Sequence, residues 1–135
     1  MTTRHSPNDR PRAAATILVV DDDAIMRNLI GRTLTAAGYV VWTAASVPDA
    51  RQLLPTIEHS LDLVLADVVM PGGLGPELAA DGITVGPHTR VAYISSYSPT
   101  KLRAHGVDLQ GAPLLSKPFM PAELLAFIAD LIPAA

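Results

Sequence analysis

The chain contains no cysteine, which excludes both a disulfide framework and a thiolate metal site. Aromatic residues make up only 4% of it, so any core must be aliphatic. No apolar run approaches the ~20 residues needed to span a bilayer. Positive charge is scarce as well. Arg4, Arg10 and Arg12 against Asp9 give residues 1–15 a balance of +2, which leaves −5 on the rest of the chain. An acidic body argues against recognition of nucleic-acid phosphates. Four histidines, His5, His59, His88 and His105, are scattered without ligand spacing and read as surface residues. The start, RPRAAATILVV, is basic and then apolar like a secretory signal, but its apolar part is short and runs into three aspartates instead of a small-residue cleavage site. The expectation is a soluble, cytoplasmic protein without membrane contact.

What is present has a regular order. With 135 residues and 49% hydrophobic content, the chain has room for one domain with a real core. Residues 1–15, rich in Pro, Arg, Ser, Asn and Ala, read as a flexible arm, and residues 16–133 as the domain. TILVV is a short β-branched run fit for a strand buried on both faces. AIMRNLIGRTLTAAG then places Ile25, Met26, Leu29, Ile30, Leu34 and Ala37 at helical spacing, with Gly38 to stop it. YVVWTA is a second strand. SVPDARQLLPTI opens a helix with Ser46 three residues before Asp49, and Pro55 is expected to end or kink it early.

LDLVLAD is a third strand, followed by the glycine-rich loop VMPGGLGP and a short helix, PELAAD. RVAYISS, SPTKLRAHG, APLLS and PAELLAFIADLI complete the alternation as strand, helix, strand, helix. Five strands alternating with five helices imply βαβ units, hence an α/β fold with a doubly wound, five-stranded parallel sheet and helices on both faces.

In such a sheet, ligands bind beyond the carboxyl ends of the strands. Strand one ends in Asp21, Asp22 and Asp23, strand three in Asp67, strand four in Ser95 and Ser96, and strand five in Ser116, Lys117 and Pro118. Crowded carboxylates raise one another's pKa unless a cation neutralises them. Mg²⁺ takes oxygen ligands, typically one or two carboxylates plus phosphate oxygens. A carboxylate beside that ion can serve as nucleophile and become an acyl phosphate, with a lysine and a hydroxyl offsetting charge on the transferring group. Asp23 is better placed to cap the first helix.

With those residues in view, the sequence resembles the receiver domains of bacterial two-component response regulators. The similarity rests on ILVVDDDAIMR, LVLADVVMPGG, YISSYS and LLSKPFMPAELL, spread from Ile17 to Leu125. The resemblance implies a flavodoxin-like strand order, 2-1-3-4-5. It also implies Asp67 as phosphoacceptor, Asp22 as a direct Mg²⁺ ligand, Asp21 as a ligand mostly through water, and the backbone carbonyl of Val69 as a third protein ligand. Ser95 takes the hydroxyl position, and Lys117 the lysine position, with Lys117-Pro118 as a cis peptide. The implied partners are a histidine kinase or histidine phosphotransfer protein and an unknown downstream protein. The only chemistry implied is self-catalysed phosphotransfer and dephosphorylation, with Val69 and Ser96 flanking the site of water attack.

The sequence departs from the family pattern in places. Leu114 stands where an aromatic switch residue is frequent, three before Lys117, and Tyr97 is the nearest substitute. The loop after Pro71 reads GGLG where Met-Asp-Gly is usual. The starting methionine and arm suit a stand-alone regulator, whereas SKPF…ELL is similar to receivers of hybrid histidine kinases. ILVVDDDAI also resembles the Asp-x-Asp signature of haloacid-dehalogenase-type phosphatases, with Asp21 as nucleophile and Asp23 as acid/base, but that reading leaves Asp67 and SKPF without a role. A binding module that has lost phosphorylation is the third alternative. In the closing helix, Leu124, Leu125, Phe127, Ile128, Leu131 and Ile132 cover more of the circumference than one sheet face needs, which points to a partner surface or a homodimer strengthened by phosphorylation.

Overall fold

A computed structural model of the chain describes residues 14–71, 73–80 and 88–132. The expected arm lies, up to residue 13, outside the described residues. Five strands, numbered here within the main sheet, are β1 Thr16–Val20, β2 Val40–Ala44, β3 Leu61–Asp67, β4 Arg90–Ser95 and β5 Leu114–Ser116. All pair in parallel, in the order β2-β1-β3-β4-β5. This is the doubly wound order the resemblance implied. Helices α1 Ala24–Ala36, α2 Val47–Ile57, α3 Glu77–Ala80, α4 Pro99–Ala104 and α5 Pro121–Leu131 fill the connections, although α3 is a single turn. Among the described residues no helix is long and apolar enough to cross a membrane.

The strand sequences explain why the sheet is covered on both sides. In β1, Leu18 and Val20 join the cluster that contains Val47, Ala50 and Leu54 of α2, Leu78 of α3 and Leu102 of α4. Ile17 and Val19 join the opposite cluster, with Ile30 and Leu34 of α1 and Leu124 and Ile128 of α5. In β3, Val64 and Ala66 go to the first side, and Leu63 and Leu65 to the second. The period of two along each strand thus builds two cores, and a continuous apolar run is what both demand. Burying each Leu or Ile contributes about 1.5–3 kcal/mol.

Local signals set the helix ends. The Asp23 carboxylate accepts from the amides of Ile25 (2.9 Å) and Met26 (3.3 Å), so it caps α1 as expected. Gly38, at φ +102°, closes α1: its N–H donates to Thr35 O and that of Tyr39 to Leu34 O. Ser46 Oγ accepts from Asp49 N at the start of α2. Pro55 does not end α2 early, because the helix runs on to Ile57 and Glu58 N still reaches Leu54 O at 2.8 Å. A proline this close to the C-terminus removes one helical bond and leaves few turns to disturb.

Candidate functional site

The sheet order brings the ends of β1 and β3 side by side, with β4 and β5 next in line. The ladder also continues past the strands. Asp21 N donates to Ala44 O, and Lys117 N to Ser95 O at 2.8 Å, so the residues just beyond β1 and β5 are still held by ladder bonds.

Lys117 joins the two central carboxylates. Its Nζ donates to Asp67 Oδ2 at 2.9 Å and to Asp21 Oδ2 at 3.0 Å. The Asp21 side chain is fully buried, and its Oδ1 also accepts from Asp23 N at 2.9 Å. Asp67 Oδ1 accepts from Val69 N at 3.3 Å. Asp22 is exposed, and one carboxylate oxygen from each of Asp21, Asp22 and Asp67 lies within 4.8 Å of the others. Three hard oxygen donors at that spacing can hold a metal ion. Val69, two residues past Asp67, is exposed. The Lys117-Pro118 bond is cis.

Burial pushes the Asp67 carboxyl above its ordinary value, and the nearby Asp21 charge adds to that, against the opposing pull of the Lys117 hydrogen bond and charge. For Lys117, burial alone would lower the pKa, but the hydrogen bonds and charges of Asp67 and Asp21 outweigh it and raise the value. Three carboxylates cluster around a single ammonium group that is bonded to two of them, Asp21 and Asp67. The residual negative charge is what would attract a cation.

Ser95 is buried at the end of β4. Its Oγ accepts from Tyr97 N at 3.0 Å. Leu114, paired with Tyr93 in the sheet, packs half-buried against the α2–α4 core and offers no polar tip.

Two contributors were not apparent from the residues alone. A Cβ at Gly75 would run into the carbonyl oxygen of Asp67, with Asp67 C at 3.2 Å and Ala66 Cβ at 3.3 Å. Only glycine lets the loop pass this close, and Gly75 N donates to Val68 O at 2.9 Å to hold it there. The loop itself folds into a two-residue antiparallel ribbon, Val69–Met70 with Gly73–Leu74. The other is Arg27, whose Nη1 donates to Asp21 O at 2.8 Å and pins the acidic turn to α1. An arginine one turn into the helix that follows the aspartates was the available signal.

Comparisons with known proteins agree with this geometry. Residues 17–129 match the family profile described as the response regulator receiver domain. The chain is 34% identical over 110 residues to the uncharacterized transcriptional regulatory protein YrkP of Bacillus subtilis, covering 82% of this chain and 46% of that protein. It spans about half the length of the transcriptional regulatory relatives it matches in this way. The response regulator receiver protein CpdR of Brucella abortus is 31% identical over 119 residues, covering 88% of this chain and 98% of CpdR. A crystal structure of the receiver domain from the hybrid histidine kinase CckA superposes with a TM-score of 0.73 at 28% identity, covering 87% of this chain and 98% of that one. The phosphatase alternative drops out, since Asp23 is occupied in capping α1 and the match runs through both Asp67 and Lys117. With the family profile matched over residues 17–129 and CpdR matched over nearly its whole length, the chain belongs to the response regulator receiver domain family.

Proposed function

We propose that the protein accepts a phosphoryl group on Asp67 from a histidine kinase or a histidine phosphotransfer protein. The observation that carries this reading is the ammonium of Lys117, held 2.9 Å from Asp67 and 3.0 Å from Asp21 beside the exposed Asp22. An Asp67 oxygen forms the new O–P bond as the P–N bond of the phosphohistidine breaks, and the imidazole leaves. Lys117 follows the charge from the carboxylate to the phosphoryl oxygens, and the Ser95 hydroxyl donates to another of them. The all-oxygen donor set of Asp21, Asp22, Asp67 and the Val69 carbonyl fits Mg²⁺. When bound, that ion supplies charge neutralisation for the phosphoryl oxygens.

The role is regulatory and not that of a turnover enzyme. Hydrolysis of the acyl phosphate, tuned by Val69 and Ser96, resets the site. The receiver unit spans residues 16–133 in this reading, and the protein works in the cytoplasm with its kinase. Its output is a phosphorylation-dependent contact with a downstream protein or a second copy through α5 and its neighbourhood, and neither nucleic acid nor membrane is a direct partner.

Incubation with acetyl phosphate and MgCl₂, followed by mass spectrometry, tests the central step. One phosphoryl group should appear on the wild type, none on Asp67→Asn, and none when EDTA replaces the metal. Full labelling of Asp67→Asn would refute the assignment.

A further inference from the structure

Strand β2 forms one edge of the sheet, and that edge is unprotected. Its sequence, VVWTA, holds no charge, no proline and no bulge, the devices that usually blunt an exposed edge. Val40 N donates to Ala15 O at 2.9 Å and Asp21 N to Ala44 O at 3.1 Å, so Val40 and Ala44 bond towards β1. Alternate residues of a parallel strand turn their N–H and C=O to opposite sides, which leaves Val41 and Thr43 facing outward, where no described strand pairs with them. Side chains alternate too. Val40 and Trp42 lie on the α2 side with Ala44, and are 45% and 39% exposed. Val41 and Thr43 lie on the α1 side, where Thr43 borders a groove of about 520 Å³ lined also by Arg27, Asn28, Gly31, Arg32 and Thr35. A Cβ at Gly31 would sit 3.8 Å from Thr43 Cγ2, an ordinary contact, so the missing side chain leaves the groove open.

We propose that β2 is a docking edge for an extended segment of a partner protein in which apolar and acidic side chains alternate. Such a segment adds as a sixth strand, its N–H and C=O groups pairing with those of Val41 and Thr43. The period of two along the added strand has to match the two unlike faces of the edge. On the α2 face its side chains meet Val40 and Trp42, which calls for apolar residues. On the α1 face they meet the groove that holds Arg27 and Arg32, and α1 carries no acidic residue between Ala24 and Ala36 to offset them. In a chain of net charge −3 this is a local basic strip, and carboxylates on the incoming strand complement it. Arg27 already commits its Nη1 to Asp21 O, whereas Arg32 is exposed and in no ion pair among the described residues. Asp49 lies across the edge on α2, in the adjoining groove, so acidic side chains are drawn to the α1 face alone. A second copy is the poorer occupant. Antiparallel pairing of two β2 edges about a twofold axis keeps both α1 helices on one face and sets the arginines of one copy against those of the other.

Trp42 is the chain's single tryptophan, so its fluorescence reports this edge directly. The probe is an acetylated, amidated peptide alternating Val and Glu over about nine residues, titrated into the full chain beside a Val–Lys peptide of the same length. The Val–Glu peptide should shift Trp42 emission to shorter wavelength with a Kd at or below about 1 mM, and the Val–Lys peptide should bind at least about tenfold more weakly. In the Val–Glu complex, hydrogen exchange of the Val41 and Thr43 amides should slow by about tenfold or more, while that of Trp42, whose amide faces β1, changes little. Arg32→Glu, a surface change whose folding is checked by its urea midpoint, should weaken the Val–Glu peptide by about tenfold or more and strengthen the Val–Lys peptide. No emission shift, equal affinity for the two peptides, or Val–Glu binding unchanged in Arg32→Glu would overturn the proposal. Protection of Val41 and Thr43 that grows with protein concentration in the absence of peptide would give the edge to a second copy and overturn it as well.

Discussion

Replacing Lys117 by alanine asks whether the ammonium group holds the site together or only decorates it. In the wild type, two carboxylates meet Nζ at 2.9 and 3.0 Å, and the Asp21 side chain has no exposed surface at all. Removing one partner of a buried ion pair costs about 3–5 kcal/mol, because the remaining charge stays out of water. Here the stranded charge is a carboxylate pair. Partial exposure of Asp67 and of the lysine softens the loss, so about 3 kcal/mol is expected at neutral pH without metal. For a domain of this size each kcal/mol moves Tm by about 3–5 °C, which predicts a fall of roughly 10–15 °C.

The pH dependence has a definite sign. Burial already lifts Asp67 above its ordinary 3.8, and losing the lysine removes the groups that hold it down. An acid with a raised folded-state pKa loses stability as pH climbs from its unfolded value through its folded one. Wild type and Lys117→Ala should therefore be close in stability near pH 4 and diverge as the pH rises to 7. The wild-type contribution of Lys117, whose own pKa is raised above 10.5, should be complete below that ordinary value and be lost as the pH rises from it through the folded-state value. Magnesium should act in the opposite direction to pH. A divalent cation can replace the missing charge, so saturating MgCl₂ should stabilise the variant more than wild type, by RT ln(1 + [Mg²⁺]/Kd) with a smaller Kd. Urea unfolding in EDTA and in MgCl₂ at several pH values measures all three effects. A loss below about 1 kcal/mol at pH 7 in EDTA, or equal stabilisation of both proteins by Mg²⁺, would refute the reasoning.

Two further outcomes follow from the packing. Gly75→Ala forces a methyl group onto the Asp67 backbone, a contact that cannot relax at a flexible tip; it should cost about 1–3 kcal/mol and, by displacing Asp67, slow labelling by acetyl phosphate about tenfold or more, whereas Gly73→Ala, which meets the Val47 side chain at 3.3 Å, should label normally. Phe127 is half-buried on α5 beside the fully buried Leu124 and Ile128; with beryllofluoride and Mg²⁺ the wild type should sediment faster than without them and Phe127→Glu should not respond, and an unchanged sedimentation coefficient for wild type would remove self-association from the proposed output.

The architecture was largely legible because its signals are local. TILVV and LDLVLAD are apolar runs whose only charges, Asp62 and Asp67, lie near the ends of the second, and both form interior strands of the sheet. Ser46, Ser98 and Gly38 mark helix ends through bonds to residues within a few positions, so sequence alone places them. Pro55 was misleading because its effect depends on how much helix remains beyond it, and only two residues do. The site divides along the same line. That carboxylates, a hydroxyl and a lysine stand at strand ends is a one-dimensional fact. That Lys117 reaches Asp67 and Asp21, separated by 50 and 96 residues, depends on strand order, which came from the family resemblance. Gly75 could not be picked from GGLG, since which glycine grazes Asp67 is decided by the three-dimensional course of the loop.

The same burial that gives Asp67 its chemistry also makes the site a point of tension in the fold. A fully exposed aspartate would be ionised and well hydrated, and would gain little from a lysine or a metal. Sunk beside Asp21, Asp67 gains from any added cation, which couples the stability of the strand ends to the occupancy of the site. Under the proposed function, phosphorylation of Asp67 would change that balance in a specific way. It moves negative charge outward from the carboxylate to the phosphoryl oxygens, where Lys117 and the Ser95 hydroxyl compete for it. Each of those groups already holds a neighbour: Lys117 holds Asp21, and Ser95 holds the Tyr97 amide. Recruiting them must loosen what they held. Asp21 keeps a second hydrogen bond, from Asp23 N, so the lysine can move without freeing the acidic turn.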